Sequence, residues 1–225
     1  SLINCLVTII TFYILKNFSL NIYQCFFYSI CFAILGYTTS GTLYVDHHSS
    51  LLCLLAVFCL IMAIKTDRKK FLILLPIILG LAFLTKSAPS VYVFFSVSLI
   101  LILYILIKKK FNWILYLFLS SISFIILIVL FFNIANIKLE NFFNQYIFFP
   151  SSIGKDRIEE LNFLSEGVIF DYKFIYISFF PFFILSLLDI IKSKKNLLNE
   201  NFFFFLSFLL LIISLVIHQT NTRNQ

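Results

Sequence analysis

Long apolar stretches separated by short polar pieces set the layout of this chain. A transmembrane helix needs about 20 predominantly apolar residues, fewer at the low end of the range. Such stretches fall at 2–15, 22–38, 49–64, 71–86, 89–107, 112–135, 174–191 and 201–218. The pattern predicts eight membrane-crossing helices joined mostly by tight loops. The expected fold class is all-α, a polytopic transmembrane helix bundle, with residues 1–225 as one transmembrane domain. The segment 136–173 is expected as a long extracytoplasmic loop.

Composition agrees with that layout. Of the 225 residues, 61% are hydrophobic and 12% charged, against about a quarter charged in a soluble domain. A water-soluble fold has no place for so much apolar surface, whereas lipid accepts it. The 31 Phe are read as compositional bias rather than as aromatic sites. The five cysteines, at 5, 25, 31, 53 and 59, all lie in or beside the first three stretches. They form no CxxC or Cys/His metal spacing and read as buried, inert thiols. The chain begins with Ser1 and stops just after an apolar stretch, so it is expected to be an internal piece of a longer protein. Residues 1–15 lack the basic start and small-residue cleavage site of a signal peptide.

Charge gives the layout a direction. Lys and Arg in short loops mark the cytoplasmic side. Lys65, Arg68, Lys69 and Lys70 share one loop, Lys108 to Lys110 the next basic loop, and Lys192, Lys194 and Lys195 the one after, with Lys16 in phase. The side with these loops holds 11 basic and 3 acidic residues, a net of +8; the other holds 6 and 7, a net of −1, which together give the overall +7. The basic balance is thus a topology signal, and no nucleic-acid partner is expected. All three histidines and most acids fall on the side away from the cytoplasm, where any site is expected. The cytoplasmic loops contain little except lysine.

Four polar groups are candidates for chemistry. The first is Gly41-Thr-Leu-Tyr44-Val-Asp46-His47-His48-Ser49-Ser50. Asp46 and Ser49 or Ser50 are good N-cap residues for the next helix, but capping does not explain two adjacent histidines, and ionisable clusters at a membrane edge often mark sites. Asp46 with one histidine suits binding a divalent ion, orienting a phosphate, or acid–base work. Adjacent histidines on a helix point about 100° apart, so both gripping one metal is disfavoured. The second group is Gly80-Leu-Ala-Phe-Leu-Thr-Lys86-Ser-Ala-Pro89-Ser90. Pro76 and Gly80 are expected to loosen this span. Lys86 sits at the end opposite the basic loops, either snorkelling to the interface or holding an anionic lipid phosphate. The third lies in the long loop, where an aromatic stretch suits an interfacial helix and Lys155 and Arg157 suit head groups or a substrate phosphate; an ordinary solvated loop is the alternative. The fourth is His218-Gln-Thr-Asn-Thr-Arg223-Asn224-Gln225, a polar site or a plain exit to water. There is no P-loop, GxSxG or HExxH. Of the ionisable residues only Asp189 sits within a span, and no proton-relay or voltage-sensor ladder of charges exists.

The order of outer acidic motif, span, basic loop, span ending in Gly-x-x-x-Leu-[Ser/Thr]-Lys, then another span resembles the GT-C superfamily of membrane glycosyltransferases. The pattern is similar to family 39, which includes protein O-mannosyltransferases and the lipid A aminoarabinose transferase. Tyr44-Val45-Asp46 falls where those proteins carry a tyrosine or arginine shortly before an Asp. Gly80-Leu-Ala-Phe-Leu-Thr-Lys86 looks like their Gly-Leu-Ala-x-Leu-x-Lys segment, and Asp46-His47-His48 looks like the Asp-His-His of archaeal oligosaccharyltransferase catalytic subunits. The tail Thr222-Arg223-Asn224-Gln225 resembles a polar stretch after a late span in bacterial relatives. The resemblance covers about 40–130, and more loosely the rest.

The resemblance implies a polyprenyl-phosphate-linked sugar as donor. The acceptor would be a lipid, glycan or protein on the periplasmic or exterior face of a plasma membrane. It implies a carboxylate base for the acceptor hydroxyl and cationic stabilisation of the departing phosphate, with Lys86 first and Arg223 second. Tyr44, His47, His48, Arg157 and His218 are the further substrate-binding candidates. In the family the catalytic Asp follows the first span, whereas the first acid here is Asp46, after the second. The main catalytic Asp is therefore expected upstream of this piece. Asp46 stands as the candidate within it, and a divalent metal is expected only if Asp46 and His47 bind one. The other reading is a polysaccharide polymerase, a flippase or another multi-span transporter. That class calls for polar residues at mid-membrane and matching broken helices, which these spans do not display.

Overall fold

The computed structural model describes residues 2–36, 45–149, 151–152, 173–192 and 200–223. Every regular element among them is helical. They are α1 (Leu2–Asn17), α2 (Ile22–Leu35), α3 (Val45–Thr66), α4 (Lys69–Thr85), α5 (Ser87–Lys108), α6 (Asn112–Ile134), α7 (Leu139–Phe143, continued by a π-type turn Asn144–Phe148), α8 (Lys173–Lys192) and α9 (Glu200–Arg223). Each of the eight apolar stretches falls largely on a helix, with residues 37 and 38 of the second outside the described residues.

Length and composition decide which of the described helices could cross a membrane. His47–Thr66, Pro89–Lys108 and Asn112–Ile134 are long and apolar enough to cross a membrane. Helices α1, α2 and α4 have 16, 14 and 17 residues. At about 1.5 Å per residue they reach roughly 21 to 26 Å, short of the ~30 Å hydrocarbon core.

The boundaries follow from local chemistry. Helix α2 starts with a capping box: Asn21 Oδ1 accepts from Gln24 N at 2.8 Å, and Gln24 Oε1 accepts from Asn21 N at 3.2 Å. With only five glycines in the chain, other residues occupy the left-handed position beyond helix ends. Ser19, Asp67, Lys109 and Asn136 have φ of 53° to 63° and follow α1, α3, α5 and α6. That conformation costs an ordinary residue roughly 1–2 kcal/mol, repaid by closing the last carbonyls of the helix. Asp67 N donates to Ala63 O at 2.9 Å, and Ile137 N to Phe132 O at 2.9 Å.

Helix α3 is the centre of the bundle. It packs against α1, α4, α5 and α9, and 67% of its apolar window is buried. Ala56, Leu60, Ile61 and Ala63 are at most 1% exposed. Helix α6 is the opposite case, with only 6% of its window buried. Phe118, Ile125, Leu127 and Phe131 lie on its open face, an apolar surface that suits lipid rather than water.

One end of the bundle gathers the basic loops. Lys65 Nζ lies 3.9 Å from the Phe18 ring centroid, Phe18 meets Phe204 of α9 at 5.5 Å, and Asp67 pairs with Lys110. The loops after α1, α3 and α5 and the start of α9 therefore share that end.

Two residues expected to loosen α4 have other roles. The helix continues through Pro76. Ser120 of α6 donates to Ile73 O, next to the Leu72 carbonyl that proline leaves without its usual N–H donor. At Gly80, an added Cβ would lie 2.2 Å from Phe124 Cε1, so the glycine is the seat of an α6 ring. Gly80→Val is expected to lower stability by about 1–3 kcal/mol through overpacking, and by distinctly less in a Phe124→Ala background. Thermal unfolding in detergent checks this, and equal losses in both backgrounds would refute the ring-on-glycine contact.

Candidate functional site

The end of the bundle opposite the basic loops brings two of the candidate groups together. Helix α3 is already formed at Val45, so Asp46 and Ser49 lie inside the helix and Ser49 is not its N-cap, contrary to the capping expectation. Ser49 is fully buried, and its Oγ donates to Ala82 O and to Lys86 O, each at 3.2 Å. A hydroxyl facing a neighbouring helix end in an apolar surround finds acceptors there rather than in its own first turn.

Lys86 is the whole connection between α4 and α5. It closes α4 and opens α5 in an extended conformation, φ −157° and ψ 128°, and residues 87–88, between the expected stretches 71–86 and 89–107, are part of α5. Its N–H donates to Ala82 O at 3.0 Å. Its carbonyl accepts from Ser49 and from Ser90 Oγ at 2.8 Å. Ser90 also donates to Ser87 O at 3.0 Å. The lysine backbone is thus held by serines of two helices, while its side chain stays half-buried.

His47 and His48 precede Ser49 on α3 and are half-buried, with His47 Nδ1 inside the protein. Since Ser49 touches the Lys86 backbone, the histidine pair and Lys86 belong to one corner of the bundle. Tyr146, which sequence reasoning did not single out, closes this corner from α7's π-turn. Its hydroxyl donates to Leu84 O at 3.1 Å, and its ring stacks on Phe142 at 5.1 Å. The aromatic stretch expected as an interfacial helix is helical, and Phe148 and Phe149 are exposed.

An apolar groove of about 470 Å³ runs beside this corner between α4, α5 and α6. Gly80, Phe83, Phe94 and Phe124 form its walls, and Ser90 and Ser121 are its polar lining residues. Ser90, bonded to Lys86 O, links groove and corner.

The other candidates are placed less closely. Asp46 lies on α3, and its side chain falls outside the described residues, as do Tyr44 and Arg157 entirely. His218 and Arg223 lie on α9, whose helix continues through Arg223 rather than ending at 218. Helix α9 starts at the basic end, so it runs toward the Lys86 end; its side chains there lie outside the description. Among the described residues no three His, Cys, Asp or Glu side chains gather to hold a metal ion. His47 and His48 alone do not make a ligand set, and no chemical step is assigned to a metal here.

Comparison with protein-family models, curated proteins and solved structures finds no match. The functional reading therefore rests on geometry and on motifs.

The bond from Ser49 joins two helices, whereas Ser123 Oγ bonds only Leu119 O in its own helix. Ser49→Ala is expected to cost about 0.5–1.5 kcal/mol, and Ser123→Ala less than about 0.5 kcal/mol. Parallel denaturation of the two variants in detergent checks the contrast; equal effects would contradict the cross-helix role.

Proposed function

We propose that this chain is part of a membrane glycosyltransferase of the GT-C type. It moves a sugar from a polyprenyl-phosphate donor to an acceptor on the face of the plasma membrane away from the basic loops. The bundle crosses the membrane eight times in this reading, the shorter helices by tilt of their neighbours and local thinning.

The observation that carries the proposal is the corner itself. Ser49 holds the Lys86 backbone against the turn bearing Asp46, His47 and His48, with an apolar groove alongside. Lys86 is the cation for the departing polyprenyl phosphate, whose negative charge grows as the glycosidic bond breaks. A cation on a backbone fixed by three hydrogen bonds needs little reorganisation to meet that charge. The groove suits an isoprenoid chain, because it offers apolar wall and almost no hydrogen-bonding demand. His47 and His48 orient donor phosphate or acceptor, and His218 and Arg223 approach from α9. The base that removes the acceptor proton is a carboxylate, with Asp46 the candidate in this chain.

The buried polar residues also favour an enzyme over a transporter. Asn4, Thr11, Ser29, Ser49, Ser90, Ser120 and Ser207 are small and neutral, and each donates to a backbone carbonyl. None among these offers the mid-membrane charge that ion-coupled transport uses.

The test is sugar transfer from polyprenyl-phosphate monosaccharides by the full-length protein in membranes. Lys86→Ala and Asp46→Asn are expected to lower transfer by at least about 100-fold, in line with the loss of one charge-stabilising group, with unfolding temperature unchanged. Lys86→Arg is expected to retain part of the activity. Wild-type transfer by both Lys86→Ala and Asp46→Asn would sink the assignment.

A further inference from the structure

The basic end of the bundle, which the sequence presents as little more than lysine, contains a built pocket. It has a volume of about 360 Å³ and is lined by Asp67, Lys69, Lys109, Lys110, Trp113 and Tyr116, among others. We propose that it binds the phosphate of an anionic phospholipid in the leaflet on the basic-loop side.

The charges are arranged for an anion. Asp67 is the carboxylate lining the pocket among the described residues, and it is already engaged. One oxygen pairs with Lys110 Nζ, and the other accepts from Trp113 Nε1 at 3.2 Å. Lys69 and Lys109 are left with no carboxylate of the lining to offset them, a surplus of two positive charges in one concavity. Lys69 Nζ sits 4.9 Å from the Tyr116 ring centroid, and the neighbouring Tyr116 holds its pKa above the ordinary lysine value. The ammonium is therefore cationic at any physiological pH.

Orientation signals alone do not account for this arrangement. They need lysines at this end of the bundle, anywhere in the loops. Lys69 instead opens α4, and Lys110 lies two residues before α6, with its carbonyl accepting from Trp113 N at 2.9 Å. Cations at a helix N-terminus oppose the dipole by about 0.3–1 kcal/mol each. Neither helix has a side-chain cap. An anion seated between them reverses the sign of both terms.

The walls fit a lipid rather than a soluble ion. Trp113 is 4% exposed, stacks on Tyr104 at 4.9 Å, and begins the most lipid-facing helix of the bundle. Tryptophan and tyrosine sit at headgroup level in membrane proteins, and basic pockets at that level take phosphate head groups. The lipid's chains would then lie along the exposed apolar face of α6.

Trp113 is the one tryptophan of the chain and reports on the pocket directly. The experiment uses the full chain in nanodiscs that contain either phosphatidylglycerol or phosphatidylcholine brominated at the headgroup end of its chains. Trp113 fluorescence is expected to be quenched at a mole fraction at least about threefold lower with the anionic lipid. Lys69→Gln/Lys109→Gln is expected to remove the preference while leaving the Asp67–Lys110 pair in place. Lys16→Gln/Lys192→Gln, an equal charge change at exposed positions, is expected to keep it. Equal quenching by both lipids overturns the proposal, as does a preference that survives in the pocket variant or is lost in the control. Abolition of the preference by millimolar inorganic phosphate at constant ionic strength would assign the pocket to a soluble anion and overturn the lipid source. Sugar transfer plays no part in this readout, so its outcome is independent of the enzymatic proposal.

Discussion

The burial of α3 is the constraint on which the rest of the bundle depends. A helix surrounded by other helices in an apolar medium must satisfy its own backbone, and its neighbours gain little from hydrophobic transfer because lipid is as apolar as they are. Direction has to come from a few hydrogen bonds between helices. Among the described residues, Asn4 donates to Ala33 O between α1 and α2, Ser49 to Ala82 O between α3 and α4, and Ser120 to Ile73 O between α6 and α4. Most other buried hydroxyls turn back on their own helix, as Thr11 does to Val7 O and Ser207 to Phe203 O. They lower the polarity of the interior without choosing a partner. Such bonds and the Gly80–Phe124 contact fix which faces of α1, α2, α3, α4 and α6 meet, and shape fills in the rest.

Hydropathy made the helices legible, because an apolar stretch bounded by charges leaves the backbone few alternatives in lipid. Among the described residues all eight expected stretches are largely helical. The loops were legible through charge: Lys16, Lys65, Lys69 and Lys110 lie toward one end as their alternation requires. What could not be read was which polar residues cross between helices. Ser49 looks like an N-cap from its place after Asp46, and only the position of α4 makes it a bridge. Gly80 beside Pro76 looks like a weak point, and only Phe124, 44 positions later, makes it a seat. Asp67 was hidden among lysines, where a lone acid reads as noise. Tyr146 offered no signal at all, since its partner is a backbone carbonyl 62 residues away.

The candidate site was legible as a list and not as a shape. His47, His48 and Lys86 share a corner because α3 and α4 run antiparallel with a turn of only two residues between them. Lys86 then lies level with the first turn of α3. With 22 residues against 17, α3 extends about one turn past its Ser49 contact with Lys86, and that turn, which the apolar pattern misses by starting the span at 49, bears Asp46, His47 and His48. Asp46 remains tied to the corner by its place on α3, and Arg157 and Tyr44 by motif alone.

The two ends of α3 hold their polar groups in different ways, and this bears on what each can do. At the Lys86 end, side chains bind backbone: Ser49 and Ser90 fix the Lys86 carbonyl. At the Asp67 end, side chains bind one another, and the lysine paired with Asp67 is part of the fastening. Of the lysines lining the pocket, Lys69 and Lys109 lie outside that pair and can meet an outside anion without loosening the turn. The basic end thus separates the group that holds, Lys110, from the lysines that present charge. In an interior where an unpaired ion is costly, placing the presenting charges at the two ends of a buried, self-satisfied helix keeps them near water and head groups while their backbones stay fixed by the bundle.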